Sequence, residues 1–136
     1  MSVRIELADP ASIERAVRKF MKVETGGGAY ASSPATITFI AWAGPEIAGW
    51  CWGYQLARPD DSTMLYLHQL EVDAAYRRQG IGRDLVTAFL KAGAETGATK
   101  MFLTTGADNI PARTLYESLG GDLASQGPTV NYWFLL

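Results

Sequence analysis

The chain has 136 residues, a formal net charge of −2, 48% hydrophobic residues and 19% charged ones. That balance suits one packed domain over residues 1–136 and excludes a disordered chain; it also argues against a broad basic face for nucleic acid. The single cysteine, Cys51, and the single histidine, His68, exclude an intrachain disulfide and any metal centre or chemistry that needs two of either.

In chain order, Val3, Ile5 and Leu7 alternate with Arg4 and Glu6, which predicts a strand over Val3 to Ala8. Asp9-Pro10 opens a helix, with Asp9 as N-cap and Pro10 as its first residue. Ile13, Ala16, Val17, Phe20 and Met21 repeat at helical spacing, and Gly26-Gly27-Gly28 ends the helix. The stretch from Thr25 to Pro34 reads as a loop with room for a helical turn, and Tyr30 is its one bulky group. Thr36 to Trp42 and Ile47 to Ala57 make a hairpin around Gly44-Pro45-Glu46, and the second arm carries Trp50, Trp52 and Tyr54. Met64 to Val72 is a third strand. Gly80 to about Glu95 is helical and closes at Gly97. Lys100 to Thr105 is an apolar strand, Pro111 to Leu119 a short helix, and Asp122 to Ser125 and Val130 to Leu136 a final pair of strands. The order β α β β β α β α β β predicts a mixed α/β sheet of about seven strands with helices on both faces.

The chemistry concentrates in Leu70-Glu71-Val72, followed by Arg77-Arg78-Gln79-Gly80-Ile81-Gly82-Arg83. An apolar strand runs into a basic, glycine-spaced loop that opens a helix. The unpaired N–H groups and partial positive charge of a helix N-terminus suit a phosphate, and glycines let it approach closely. The alternative is a capped helix with a solvated basic start. A dinucleotide fingerprint needs a third glycine where Leu85 stands, and a Walker A loop needs a Lys-Ser/Thr pair that is absent.

Arg77 to Gly82 resembles the Q/R-x-x-G-x-G/A phosphate loop of the GNAT N-acyltransferase superfamily. Asn109, Ala112, Leu115-Tyr116-Glu117 and Leu119-Gly120 resemble its second motif, about 30 residues later. The resemblance implies acetyl-CoA as co-substrate. The loop residues would lie at the pyrophosphate, with Arg83 one turn in either touching phosphate or solvated, and the Leu70 and Val72 backbone at the thioester. Asn109 and Ala112 would lie along the pantetheine arm, and Tyr116 would protonate the departing thiolate. An N-cap role is the alternative for Asn109, and core packing for Tyr116. Between Thr38 and Leu85 the chain is most similar to aminoglycoside 3-N-acetyltransferases, except that Gln69 stands where those enzymes carry an acidic residue.

His68 matches a histidine of the arylalkylamine acetyltransferases, which implies a general base; a histidine packed in the sheet is the alternative. Strand alternation places Tyr66, His68, Leu70 and Val72 on one face and the competing base Glu71 on the other, unless a bulge turns the strand. The aromatic strip Trp50, Trp52 and Tyr54 reads as core beneath the first helix or as an acceptor wall. Cys51 reads as buried and inert, and glycines 26–28 with Tyr30 as a lid or a plain loop. The expectation is an acetyl-CoA-dependent N-acetyltransferase acting on the primary amine of a small molecule. The acceptor is an aminoglycoside-like compound, or else a small metabolite or peptide amine. A non-catalytic acyl-CoA-binding module is the rival, and a homodimer is compatible with either. No stretch approaches the ~20 apolar residues of a membrane span and Met1 to Glu6 lacks a signal peptide's apolar run, so a soluble cytoplasmic chain is expected.

Overall fold

Asp9 and Ser12 start the first helix by capping each other. The Ser12 N–H donates to the Asp9 carboxylate at 2.8 Å, and the Asp9 N–H donates to Ser12 Oγ at 2.9 Å. In the computed structural model, which describes residues 2–136, this follows strand β1 (Arg4–Leu7) and opens α1 (Pro10–Ala16). The helix widens to a π-helical turn over Val17–Met21 and stops at Lys22, whose φ is +60°.

The expected loop contains a short helix, α2 (Gly28–Ser32). Gly27, at φ +96°, turns the chain into it, and a Cβ there would stand 2.9 Å from Ile13 Cγ2. Tyr30 pins α2 to the sheet. Its hydroxyl lies 3.0 Å from the Ile37 carbonyl and 3.2 Å from that of Gly53, and accepts from Thr38 Oγ1 at 2.8 Å. Burial pushes this phenol's pKa up to about 12. Tyr30 is thus an anchor with its polar end fully engaged. Tyr30→Phe is expected to lower stability by about 1–2 kcal/mol, because buried carbonyls lose their donor. Urea denaturation reads this directly, and a variant as stable as the parent would refute the anchor.

Strands β2 (Thr36–Ala43), β3 (Glu46–Ala57) and β4 (Thr63–Val72) form the antiparallel centre of the sheet. Strand order is β1-β2-β3-β4-β5, and β5 (Lys100–Phe102) joins β4 in parallel. Helix α3 (Ile81–Glu95) covers one face, burying Leu85, Val86 and Phe89 against Cys51, Leu65 and Leu67. Helix α1 covers the other, over Ile40, Ile47 and Trp50. Trp50 is core there, stacked on Phe20 with centroids 5.7 Å apart. At Gly53 an added Cβ would run into the Tyr66 carbonyl oxygen, so only glycine lets β3 pass there. Helix α4 (Ile110–Ser118) follows β5.

Two expectations fail. The sheet has five strands, not seven: Asp122 to Ser125 and Val130 to Leu136 form none. Strand β5 stops at Phe102, not Thr105. A strand needs an adjacent edge as well as a suitable composition. Pairing with β4 ends at Tyr66–Phe102, and no backbone hydrogen bond among the described residues ties 122–136 to the rest. No helix among the described residues is long and apolar enough to cross a membrane.

Candidate active site

Past Tyr66–Phe102, β4 and β5 separate and a cleft of about 220 Å³ opens. Its walls are Leu67 to Leu70 of β4, Thr104 and Thr105 after β5, and Asn109, Ala112 and Tyr116 of α4 and its cap. The Asp73 N–H donates to the Ala48 carbonyl at 2.8 Å. By antiparallel alternation, Leu70 and Val72 therefore turn their N–H groups away from β3, toward the side on which the cleft opens.

A β-bulge reorganises β4. Trp52 pairs with Gln69 and the next residue, Gly53, pairs with Leu67, so His68 is the extra residue. One inserted residue reverses the alternation beyond it. The expected faces are corrected accordingly. Leu70 and Val72 pack with Leu67 on the α3 face, while Gln69 and Glu71 join Trp52 on the α1 face. The His68 ring tilts over Trp52 at 4.4 Å and lies 5.2 Å from Tyr66 and 6.3 Å from Tyr54. It is exposed, and it lines the cleft together with Tyr116.

Glu71 consequently does not face away from His68's side of the sheet. Trp52 Nε1 donates to Gln69 Oε1 at 2.8 Å, and Gln69 Nε2 donates to Glu71 Oε2 at 3.1 Å, which holds the carboxylate in place. Glu71 borders a second depression of about 190 Å³ beside Lys19, Lys22, Asp73 and Arg77. There Lys19 Nζ meets Asp73 at 2.6 Å, and that contact, with the Ala75 N–H, holds the Asp73 carboxyl below its usual range.

The basic loop places Arg78 at φ +63° and Gly80 at φ +80°. Helix α1 is capped by Asp9, and α4 by Asn109, whose Oδ1 accepts from the Ala112 N–H at 3.2 Å. Helix α3 has no side-chain cap, so the N–H groups of Ile81, Gly82 and Arg83 have neither cap nor intrahelical acceptor. An anion fits that end. Two of the arginines are engaged elsewhere: Arg77 Nε donates to the Val72 carbonyl at 3.0 Å, and Arg83 Nη1 to Ser118 Oγ at 2.8 Å. Arg78 and Gln79 are exposed. A Cβ at Gly82 would face Leu115, Leu70 and Val72 at 3.5–3.8 Å, so this glycine packs α3 against β4 and α4.

Asn109 thus both caps α4 and lines the cleft. Tyr116 is half-buried, and desolvation raises the pKa of its phenol. Cys51 is fully buried, and its thiol is pushed up to about 12, which makes it a poor nucleophile. Sequence reasoning missed Thr104 and Thr105, read as strand, and Lys19, which it did not single out. A polar Thr-Thr pair directly after an apolar run was the available signal for the first two.

Residues 7–121 match the acetyltransferase (GNAT) family. The chain belongs to that family. GNAT acetyltransferases use acetyl-CoA. The chain is 32% identical over 99 residues to a mycothiol acetyltransferase of Corynebacterium aurimucosum, covering 68% of this chain and 32% of that protein. It is 38% identical over 65 residues to human N-acetyltransferase 8, covering 45% of this chain and 29% of that protein. It therefore spans a third or less of the curated relatives it matches. Among solved structures, an aminoglycoside acetyltransferase from an uncultured soil metagenomic sample is similar over 100% of this chain and 99% of that one, with TM-score 0.80 and 22% identity. The aminoglycoside N-acetyltransferase AAC(6')-Iy, solved with CoA, is similar over 98% of this chain and 95% of that one, with TM-score 0.81 and 18% identity. These likenesses carry the GNAT fold. They include AAC(6') enzymes and so do not single out the 3-N group.

Proposed function

We propose that this GNAT protein transfers the acetyl group of acetyl-CoA to a primary amine in the cleft between β4 and β5. The observation that carries the reading is the meeting of Tyr116 and His68 on one cleft, toward which Leu70 and Val72 direct their N–H groups. The uncapped N–H groups of α3 and the Arg78 side chain hold the pyrophosphate. Asn109 and Ala112 flank the pantetheine arm. His68 takes a proton from the acceptor ammonium, directly or through water, with Glu71 as the competing base, and the free amine attacks the thioester carbonyl. The Leu70 and Val72 N–H groups stabilise the oxyanion, and Tyr116 delivers its proton to the thiolate as the C–S bond breaks.

The acceptor is an aminoglycoside-like amine in the first reading, with the 3-amino group the first position to test. A small metabolite or peptide amine is the second. The aromatic ring surface of Trp52, Tyr54 and Tyr66 and the held Glu71 carboxylate both suit a cationic acceptor. Thiol release from acetyl-CoA, measured against aminoglycosides, polyamines, amino acids and peptide N-termini with product masses, tests the assignment. Acetyl-CoA binding without any acetylated product would make the protein a non-catalytic acyl-CoA-binding module instead.

Arg78→Glu tests the phosphate loop. It reverses an exposed charge at the anion site, so acetyl-CoA affinity is expected to fall about tenfold, or ~1.4 kcal/mol. Calorimetry on the folded variant decides, and an unchanged Kd removes the pyrophosphate from this loop. Gly82→Glu is a poorer probe, because it would force a carboxylate among Leu70, Val72 and Leu115.

A further inference from the structure

The depression beside Glu71 contains charges of both signs that lack a partner. Lys19 is engaged by Asp73 and by the Ile47 carbonyl, each at 2.6 Å. Glu71, Lys22 and Arg77 line the same hollow, and none of the three is in an ion pair among the described residues. Two of them are nevertheless held. Trp52 Nε1 can only donate, so Gln69 turns its oxygen to the indole and its nitrogen to Glu71, which fixes one carboxylate oxygen. Arg77 Nε is tied to the Val72 carbonyl. Clamped to the sheet in this way, the opposite charges do not close on each other.

The hollow continues β4 where the cleft stops. Leu67 to Leu70 wall the cleft, and Glu71 to Asp73 wall the depression. Gln69 joins the two, since it lines the first and holds the carboxylate of the second. At about 190 Å³ the depression is smaller than the ~300–1,000 Å³ that encloses a drug-sized ligand, so it takes a head group. A purely cationic head group would meet Glu71 but also Lys22 and Arg77. A purely anionic one would meet those two cations but also Glu71.

We infer that the acceptor carries a carboxylate beside its amine, as an α-amino acid does, with Lys22 and Arg77 receiving the carboxylate and Glu71 the ammonium. The inference rests on acetyl transfer in the adjoining cleft and narrows the acceptor of that reaction. The Nη groups of Arg77 bond nothing among the described residues, and a carboxylate is the acceptor that their geometry matches. Glu71 Oε1 accepts from nothing among the described residues, and an ammonium is a donor for it. The amine lies one carbon from the carboxylate, so it stays where depression and cleft adjoin, beside the Leu70 and Val72 N–H groups. There its nitrogen gives a proton to the base and bonds to the acetyl carbon. The C–S bond breaks, the thiolate takes the Tyr116 proton, and the products are an N-acetyl amino acid and CoA. The rings of Trp52 and Tyr54, which lie on the same face as Glu71, suit an apolar side chain.

Calorimetry with CoA present compares leucine with 3-methylbutylamine, which is leucine without its carboxylate. Leucine is expected to bind about tenfold tighter or more, the range of a charge-assisted contact. Lys22→Asn is expected to bring the two dissociation constants close together. Asparagine tolerates the φ of +60° at this position, so the turn is kept. Arg77→Gln retains a donor for the Val72 carbonyl, removes the charge and is expected to act in the same direction. Equal binding of the two amines overturns the inference, and so does a preference for leucine that survives both substitutions. A weaker acetyl-CoA affinity in Lys22→Asn, with leucine binding unchanged, also overturns it, because the cation would then belong to the phosphates of CoA. Product masses separate this inference from the reaction it rests on. Leucine that binds through Lys22 without being acetylated upholds the site and refutes the transfer. Acetylated 3-methylbutylamine with leucine left untouched refutes the site alone.

Discussion

Tyr116→Phe is expected to lower kcat about 10²-fold, with the KM for acetyl-CoA little changed. The substitution removes one oxygen and leaves a ring that packs, half-buried, beside the core under α3. The urea midpoint should therefore stay near that of the parent. The size of the loss follows from the acids involved. At ordinary pKa values of ~10 for a phenol and ~8.5 for a thiol, complete transfer to a thiolate is uphill by about 2 kcal/mol. Desolvation raises the Tyr116 phenol further, so it acts while the C–S bond is breaking and not before. Its contribution sits at the low end for general acids, because thiolates leave tolerably without help. Acyl donors with more acidic thiols should narrow the gap between variant and parent. Full activity, or an equal deficit with every leaving group, would reduce the phenol to packing.

His68→Ala is expected to cost a comparable factor, about 10² in kcat, and also to change the shape of the pH profile. A general base that must take the acceptor's proton gives the parent's profile an acid limb. That limb should vanish in the variant. Glu71→Gln provides the contrast, because Glu71 shares the sheet face with Trp52 and Gln69 but borders the neighbouring depression. It should raise the KM for a cationic amine and leave the acid limb in place. If Glu71→Gln removed the limb while His68→Ala kept it, the base would be Glu71, and His68 would be a ring tilted over Trp52 at 4.4 Å.

Much of the candidate site was legible in the residues. The basic, glycine-spaced loop marked the start of α3, and the Asn109 to Tyr116 spacing marked α4. The positions of Gly82 and Arg83 were legible but their roles were not. Gly82 faces Leu70, Val72 and Leu115, and Arg83 reaches Ser118, because the rotation of α3 on the sheet is set by how it packs on β4 and α4. Tyr30 was visible only as a lone aromatic in a polar stretch; its acceptors at Ile37 and Gly53 come from two different strands.

What the sequence determined by itself is what neighbouring residues decide among themselves. The Asp9–Ser12 cap, Pro10 in the first turn and the 3.6-residue stripes of α1 and α3 depend on contacts a few positions apart, so the residue order contains them. Tertiary structure decided three things. The bulge at His68 arises because β3 and β4 pair with one residue to spare, and it moved Glu71 onto the aromatic face against the plain alternation. The cleft exists because β5 pairs for three residues and then diverges. Val130 to Leu136 has the composition of a strand but is unpaired, because pairing requires a free edge in the right place, which alternation along one segment does not encode.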